Sequence, residues 1–183
     1  MLNRIVKNRL GAFEREWNYD TSYMREIVDE AGAGAVMPLF SLQKLGSYRR
    51  DVPSEAYHAA GIVASQAAGC GPCLQLGVAM AERAGVRPST IRAVLAGDFE
   101  ALPEDARLGA ELARATVARD GSGDGVRAEI LRRWGRRALV SLAYGMVVAQ
   151  AYPTFKYAIG HGHACVRVRV GGEDVPARAT VHA

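Results

Sequence analysis

This sequence of 183 residues contains only three cysteines, too few for the disulfide framework of a small secreted scaffold. Its first ten residues include Arg4, Lys7 and Arg9, which interrupt the apolar run that a secretory signal requires. No repeat at a solenoid period and no low-complexity tract is present, which argues against a repeat protein or a disordered chain. We therefore expect a cytoplasmic globular protein.

Aromatic residues are also scarce, at 7% of the chain, whereas 49% of all residues are hydrophobic and 20 are glycines. This composition favours closely packed helices, and the length suits one domain with a sizeable core. Apolar residues recur at a helical period, and prolines and glycines mark the ends of the periodic segments. The pattern predicts helices over residues 3–17, 22–32, 53–68, 72–84, 88–95, a stretch from 103, 126–134 and 135–159.

Two segments are less regular. Residues 36–48 are predicted to be only partly helical, because Pro38 stands near their start. Pro153 is expected to bend or divide the last helix for the same reason.

The C-terminal tail has a different pattern. Val168 and Val170 alternate with Arg167 and Arg169 before a Gly-Gly turn, which predicts a small hairpin or extended arm. The predicted fold class is therefore all-α with a short extended C-terminal tail.

The predicted organisation is a single domain over residues 1–183. It comprises an N-terminal helical extension (1–50), a helical core (51–160) and the tail (161–183).

Residues 138–155 carry no formal charge, so a membrane span must be considered. Several polar residues and a proline interrupt the segment, and Lys156 follows it at once. A buried core helix or a subunit-interface helix is therefore expected, and no membrane partner.

The net charge of +4 comes partly from a group of arginines, and a basic group can indicate a nucleic-acid surface. No base-reading motif or stacking aromatic residue accompanies them, so a solvated helix face is expected and no nucleic-acid partner. The arginines are Arg127, Arg132, Arg133, Arg136 and Arg137.

The stretch with clear chemical content is Cys70-Gly71-Pro72-Cys73, where one predicted helix ends and the next begins. Unpaired backbone N–H groups and the helix dipole favour a thiolate there. A lowered thiol pKa makes the sulfur a better nucleophile, and two intervening residues allow a reducible disulfide. A redox pair is the leading interpretation, while buried packing of two small residues stays open.

A zinc site is a third interpretation of the pair. Zinc normally takes four ligands, and the sequence has no second Cys-x-x-Cys. His161, His163 and Cys165 alternate and would share one face of an extended strand, so they are the residues that could complete such a site. We expect a helix-end turn there instead, with no metal and no cofactor.

The string Gly-Cys-Gly-Pro-Cys after an apolar helix, followed by LQLGVAMAERAGV, resembles the core of the alkylhydroperoxidase D-like proteins of the carboxymuconolactone decarboxylase-like superfamily. The later segments GVRPSTIRAVLAGD, ELARATVARD and EILRRWGRRALVSLAYGMVVA agree with this resemblance, which covers roughly residues 50–160. It implies an all-helical, commonly homo-oligomeric protein with the cysteine pair at its active site. Thioredoxins share the Cys-Gly-Pro-Cys string, but there it follows a β-strand.

Members of this type typically have a glutamate twelve residues before the first cysteine and a histidine four residues after the second, which relay protons to the thiols. Here these positions hold His58 and Gly77. Glu55 lies three residues before His58 on roughly the same helix face, so a relay from Glu55 through His58 to the thiols is one hypothesis. Packing of His58 between helices, and support of the helix N-terminus by Glu55, is the other.

The resemblance implies a peroxidase that forms a sulfenic acid and then a disulfide, which an external dithiol or protein reductant reduces. Helix-terminus physics favours Cys70 as the attacking sulfur, whereas the family pattern places that role at Cys73, which we favour. The partners expected are a small-molecule peroxide or disulfide substrate, that reductant and further copies of the chain. The alternatives are a cofactor-free decarboxylase or isomerase of the same superfamily, and a non-enzymatic helical assembly protein.

Overall fold

The computed structural model describes residues 1–163 and 167–177, and within them the fold is all-α, as predicted. Eight helices and one two-stranded hairpin make up the described residues. The elements are α1 Leu2–Trp17, α2 Ser22–Ala31, α3 Ala33–Ser47, α4 Ser54–Ala67, α5 Gly71–Arg83, α6 Pro88–Ala96, α7 Glu104–Ala118, α8 Asp124–Ala158, β1 Arg167–Val170 and β2 Glu173–Pro176.

The prolines interrupt the helices less than expected. Pro38 lies inside α3, which is helical from Ala33 to Ser47, and Pro153 lies inside α8 without dividing it. A proline inside a helix removes one backbone hydrogen bond and crowds the carbonyl four residues before it, and both helices continue past this local cost. The interruption of α8 is at Gly135, whose φ of 78° and ψ of −179° are non-helical, at the boundary predicted between residues 134 and 135.

The chain divides into two compact units, Met1–Leu45 and Gly46–Ala183. In the first unit, α1 packs against α2, and the ion pairs Lys7–Asp29 and Arg25–Glu14 join the two helices. Both helices carry fully or nearly buried apolar side chains, among them Leu10 and Val28.

In the second unit, α4 lies at the centre and packs most extensively on α7, then on α8 and α5. Its alanines allow this close approach. Gly109 on α7 is required at the tightest point, because a Cβ there would lie 2.1 Å from the backbone oxygen of Ala56 on α4. The central position of α4 fixes the turn that carries the cysteines, since that turn follows α4 directly.

The predicted hairpin is present. Its strands are antiparallel, with Val168 opposite Val175 and a turn at Gly171 and Gly172. Val168 and Val170 are buried in the core with apolar residues of α5 and α6, while the alternate arginines face outward. The hairpin therefore completes the core beside the cysteine-bearing helix.

Among the described residues, α8 is the one helix that is long and apolar enough to cross a membrane, judged by length and composition only. It packs on α4, α5 and α7, and its buried residues include Ser141 and Lys156 as well as apolar ones. One third of the residues in its most apolar 18-residue window are buried within the chain.

The arginine group of α8 makes ion pairs on the surface. Arg132 and Arg133 both bind Glu129 and lower its pKa to about 2, and Arg137 binds Asp51. Paired arginines of this kind are typical of a solvated helix face.

Candidate functional site

Cys70 and Cys73 lie where the sequence predicts, at the junction between α4 and α5. Gly69 adopts a left-handed conformation with φ of 70°, which turns the chain after α4. Cys70 is extended and precedes the first turn of α5, and Pro72 occupies that turn, where its missing N–H group costs nothing. Cys73 completes the turn, so both sulfurs belong to the N-terminal end of one helix.

The two sulfurs form a close pair. Their Sγ atoms are 2.9 Å apart, and both residues are thiols rather than a disulfide. A disulfide bond would bring the sulfurs to roughly 2 Å, a small change for two side chains in one turn. Cys70 is 1% exposed and Cys73 is 9% exposed, so Cys73 is the sulfur nearer to solvent.

The Cys70 thiol is more acidic than an ordinary cysteine thiol. Its pKa is lowered from 9.0 to about 6. The main cause is the hydrogen bond with the Cys73 thiol; the Cys73 backbone, the positive charge of Lys156 and the His163 backbone add to it, while burial opposes it. At neutral pH this lowered pKa favours the thiolate form of Cys70, which its hydrogen bond with Cys73 stabilises.

Two hydrogen bonds from distant parts of the chain hold the turn. The Tyr157 hydroxyl donates to the Gly69 oxygen at 2.9 Å, and the Gly71 N–H group donates to the His163 oxygen at 3.0 Å. Gly162 lies between these contacts, and a Cβ there would come within 2.2 Å of the Tyr157 ring. The end of α8 and the segment after it thus fix the backbone on either side of Cys70.

Lys156 and Tyr157 are residues to which sequence reasoning assigned no role. Lys156 is 4% exposed, and its charge acts on Cys70. The sequence held one signal for Lys156: it directly follows an uncharged segment of 18 residues, where a solvated charge is unusual. The partner of that charge was beyond sequence reasoning, since it depends on how α8 ends against the α4–α5 turn.

His58 is buried, at 5% exposure, on α4. Its Nε2 atom lies 3.4 Å from a guanidinium nitrogen of Arg49, and its ring packs edge-on against Tyr57. Because a guanidinium only donates, Nε2 is the acceptor and the imidazole is neutral. Burial, assisted by the charge of Arg49, lowers the pKa of His58 from 6.5 to about 4.

Glu55 lies in the first turn of α4, and its carboxylate is 3.9 Å from the side chain of Arg87, which precedes α6. Glu55 therefore pairs with Arg87, and His58 contacts Arg49. Within residues 1–163 and 167–177, no contact joins Glu55 or His58 to the sulfurs. The relay from Glu55 through His58 to the thiols stays a hypothesis.

Gly77, at the position of the family's histidine, lies one helical turn after Cys73. A Cβ at Gly77 would have the Ser65 hydroxyl oxygen as its nearest neighbour, at 3.9 Å, which is ordinary contact. The structure around the site therefore leaves room for a Cβ atom at this position.

The suggested ligands of a metal site are only partly covered by the structure. His161 and His163 follow α8 outside any regular element, and Cys165 lies outside the described residues. Within the part of the chain that the structure describes, no three His, Cys, Asp or Glu side chains form a group that could hold a metal ion.

Comparison of the chain with protein-family models, with curated proteins and with solved structures gave no match. The resemblance to alkylhydroperoxidase D-like proteins therefore stays a prediction from the quoted residues. What the site itself offers is a close thiol pair with one ionised sulfur, held at a helix N-terminus beside a buried cation.

Proposed function

We propose that the protein is a thiol-disulfide oxidoreductase that reduces peroxides, of the alkylhydroperoxidase D-like type, and that it works in the cytoplasm. One observation carries the proposal: the sulfurs of Cys70 and Cys73 lie 2.9 Å apart, and the pKa of Cys70 is about 6. A pair of this kind is ionised at neutral pH and is positioned to form a disulfide.

The reaction balances as follows. A thiolate attacks the peroxide oxygen, forming a sulfenic acid and releasing an alkoxide, which takes a proton to leave as alcohol. The second thiol then attacks the sulfenic sulfur, forming the disulfide and releasing water. An external dithiol supplies two electrons and two protons and is itself oxidised to a disulfide; one proton restores the thiol of the thiolate–thiol pair, and the other replaces the proton that the alkoxide took.

We propose Cys73 as the sulfur that reacts with peroxide and Cys70 as its resolving partner. Cys73 is the more exposed of the two, and Cys70 can accept its proton across the hydrogen bond between them. The variant Cys70→Ser should then accumulate a sulfenic acid on Cys73, trapped by dimedone and located by mass spectrometry. Labelling confined to Cys70 in the Cys73→Ser variant would reverse the assignment.

The function is tested by counting thiols before and after one equivalent of peroxide, in a Cys165→Ser background that leaves only the pair. We expect the loss of two thiols per chain, reversed by a dithiol, and no disulfide within the chain in Cys70→Ser or Cys73→Ser, each of which keeps one thiol. Thiols that react only after unfolding would contradict the proposal.

The second candidate is a non-enzymatic helical assembly protein. The burial of both sulfurs favours it, because a substrate must reach at least one of them. Inert thiols in the native protein, combined with a stable oligomer, would support this candidate instead.

We also propose that the protein is a homo-oligomer. In the second unit, α8 and the residue after it present Val147, Tyr157 and Ile159 as exposed large apolar side chains. Light scattering of the purified chain measures the assembly directly, and a monomer at micromolar concentration would contradict the proposal.

A further inference from the structure

Lys156 is a buried cation that the mechanism proposed above does not use. It lies in the last turn of α8 and is 4% exposed, although lysine is among the residues least often buried. Burying an ammonium group is costly unless an opposite charge or hydrogen-bond acceptors compensate it. Its surroundings should therefore include an anion or a group that can become one.

Contacts on both sides of Lys156 place it at the cysteine turn. Its neighbour Tyr157 binds the Gly69 oxygen, one residue before Cys70. Its own backbone oxygen accepts the His161 N–H group at 2.8 Å, which turns the chain back so that the His163 oxygen reaches the Gly71 N–H group. The residues before and after Cys70 are thus both bound to the segment that contains Lys156.

We infer that Lys156 is a positioning residue for the redox pair: its ammonium group holds Cys70 as the thiolate and makes the Cys70–Cys73 disulfide a more oxidising, more easily reduced couple. This inference rests on the redox role proposed above and names how the site is tuned.

Thermodynamic linkage gives the direction of the effect. Reducing the disulfide takes two electrons and one proton when the products are the Cys70 thiolate and the Cys73 thiol. A buried cation stabilises that thiolate but gains nothing comparable from a neutral disulfide, so it favours the reduced state. An ordinary dithiol is therefore a strong enough reductant for the Cys70–Cys73 disulfide.

The other groups that act on the Cys70 sulfur are the thiol and backbone of Cys73, on α5, and the backbone of His163. Cys73 has the largest effect, so Lys156 accounts for only part of the acidity. The His58 imidazole, on α4, is held neutral by burial and by Arg49, and contributes no positive charge near neutral pH.

The test removes the charge and measures the thiol without any peroxide. Lys156→Met and Lys156→Gln are compared with the parent in a Cys165→Ser background, by following thiolate ultraviolet absorbance against pH. We expect the apparent pKa of Cys70 to rise by roughly one unit, the size of a single close opposite charge. Arg127→Met, which removes a surface positive charge paired with Asp124 at the start of α8, is the control and should leave the titration unchanged.

Equilibration with a dithiol redox buffer gives a second readout. Both Lys156 variants should hold more disulfide at a given buffer composition, by a few-fold in the equilibrium constant, where tenfold corresponds to about 30 mV. Lys156→Arg, which keeps the charge, should recover part of the parent behaviour. In the unaltered protein, the lysine ammonium resonance should shift in step with the titration of Cys70.

An unchanged titration of Cys70 in a folded Lys156 variant, or an ammonium resonance that ignores the ionisation of Cys70, would overturn the inference. The outcome is separable from the peroxidase proposal. A chain that fails to consume peroxide but shows the lysine-dependent titration loses the proposed function and keeps this electrostatic role.

Discussion

The Tyr157 hydroxyl donates a hydrogen bond to the Gly69 carbonyl oxygen at 2.9 Å, joining the last turn of α8 to the residue before Cys70. The two residues are 88 positions apart in the chain. The backbone at the thiol pair is thus fixed by a helix that contains neither cysteine.

Tyr157→Phe removes this hydrogen bond and little else. We expect the free energy of unfolding to fall by about 1 kcal/mol, the usual contribution of one such bond, and the native thiols to become more reactive because the turn is less constrained. Urea unfolding and the rate of thiol alkylation measure the two effects. Tyr144→Phe, a tyrosine that packs against the Tyr48 ring, is the control, and equal effects in both variants would contradict the prediction.

The buried His58 predicts a pH dependence of stability. Its pKa is about 4 in the folded chain and 6.5 when exposed, so between these values the unfolded chain binds the extra proton. Stability from this group is therefore complete above pH 6.5 and is lost as the pH falls towards 4, by roughly 3 kcal/mol.

His58→Gln should flatten the stability curve in that window. Urea unfolding at a series of pH values measures the change, and His163→Gln, whose side chain is exposed, is the control. The prediction is wrong if His58→Gln loses stability towards acid as steeply as the parent.

The lowered pKa of Cys70 predicts a second pH dependence of stability, at higher pH. Its pKa is about 6 when folded against 9.0 when unperturbed, so the unfolded chain holds the proton between these values and the reduced protein gains stability as the pH rises from 6 to 9. That gain is absent below pH 6. Cys70→Ser should abolish the rise, whereas Cys165→Ser should keep it; a rise that persists in Cys70→Ser would assign it to another group.

Gly77→His restores the histidine that the resembling family has at this position. The nearest atom to a Cβ at residue 77 is 3.9 Å away, so the structure leaves room for a Cβ atom there. We expect peroxide reduction to accelerate by about 10-fold or more if the imidazole reaches the thiols, since a placed general base typically contributes 100-fold or more. Gly77→Ala separates the imidazole from the loss of glycine, and equal rates in both variants would count against a relay at this site.

Gly109→Ala tests the packing of α7 on α4. A Cβ at Gly109 would meet backbone atoms of Ala56, which cannot rotate away, so we expect a loss of roughly 3 kcal/mol or failure to fold. Gly61→Ala, inside α4 with no atom within 4 Å of the added Cβ, should instead gain a few tenths of a kcal/mol to about 1 kcal/mol. Comparable thermal shifts in the two variants would show that the close approach is not limiting.

The predictable parts of this molecule depend on local signals. Pro72 marks the start of α5 and Gly69 the end of α4, while the alternating valines and Gly171 mark the hairpin. Each of these elements could be found from a few adjacent residues. Pro38 misled because α3 continues past it, with buried Val36 and Leu39 on either side.

The surroundings of the thiols could be predicted only in part. The helix-start position of Cys70 follows from the sequence, and it gave the correct direction of the pKa shift. The contribution of Lys156 and the Arg49 contact of His58 could not be predicted, because each joins side chains whose proximity arises only when separate helices pack.

The hairpin described above has a consequence for the order in which the chain is made. The Gln75 side chain binds the backbone of Arg169 through both its oxygen and its nitrogen, and Glu82 accepts the Gly171 N–H group, so the outer side of α5 is covered by residues synthesised some 90 positions later. During translation, the helix that carries the thiols must wait for this cover. The core beside the thiol-bearing helix is therefore complete only once the hairpin residues 167–176 have been synthesised.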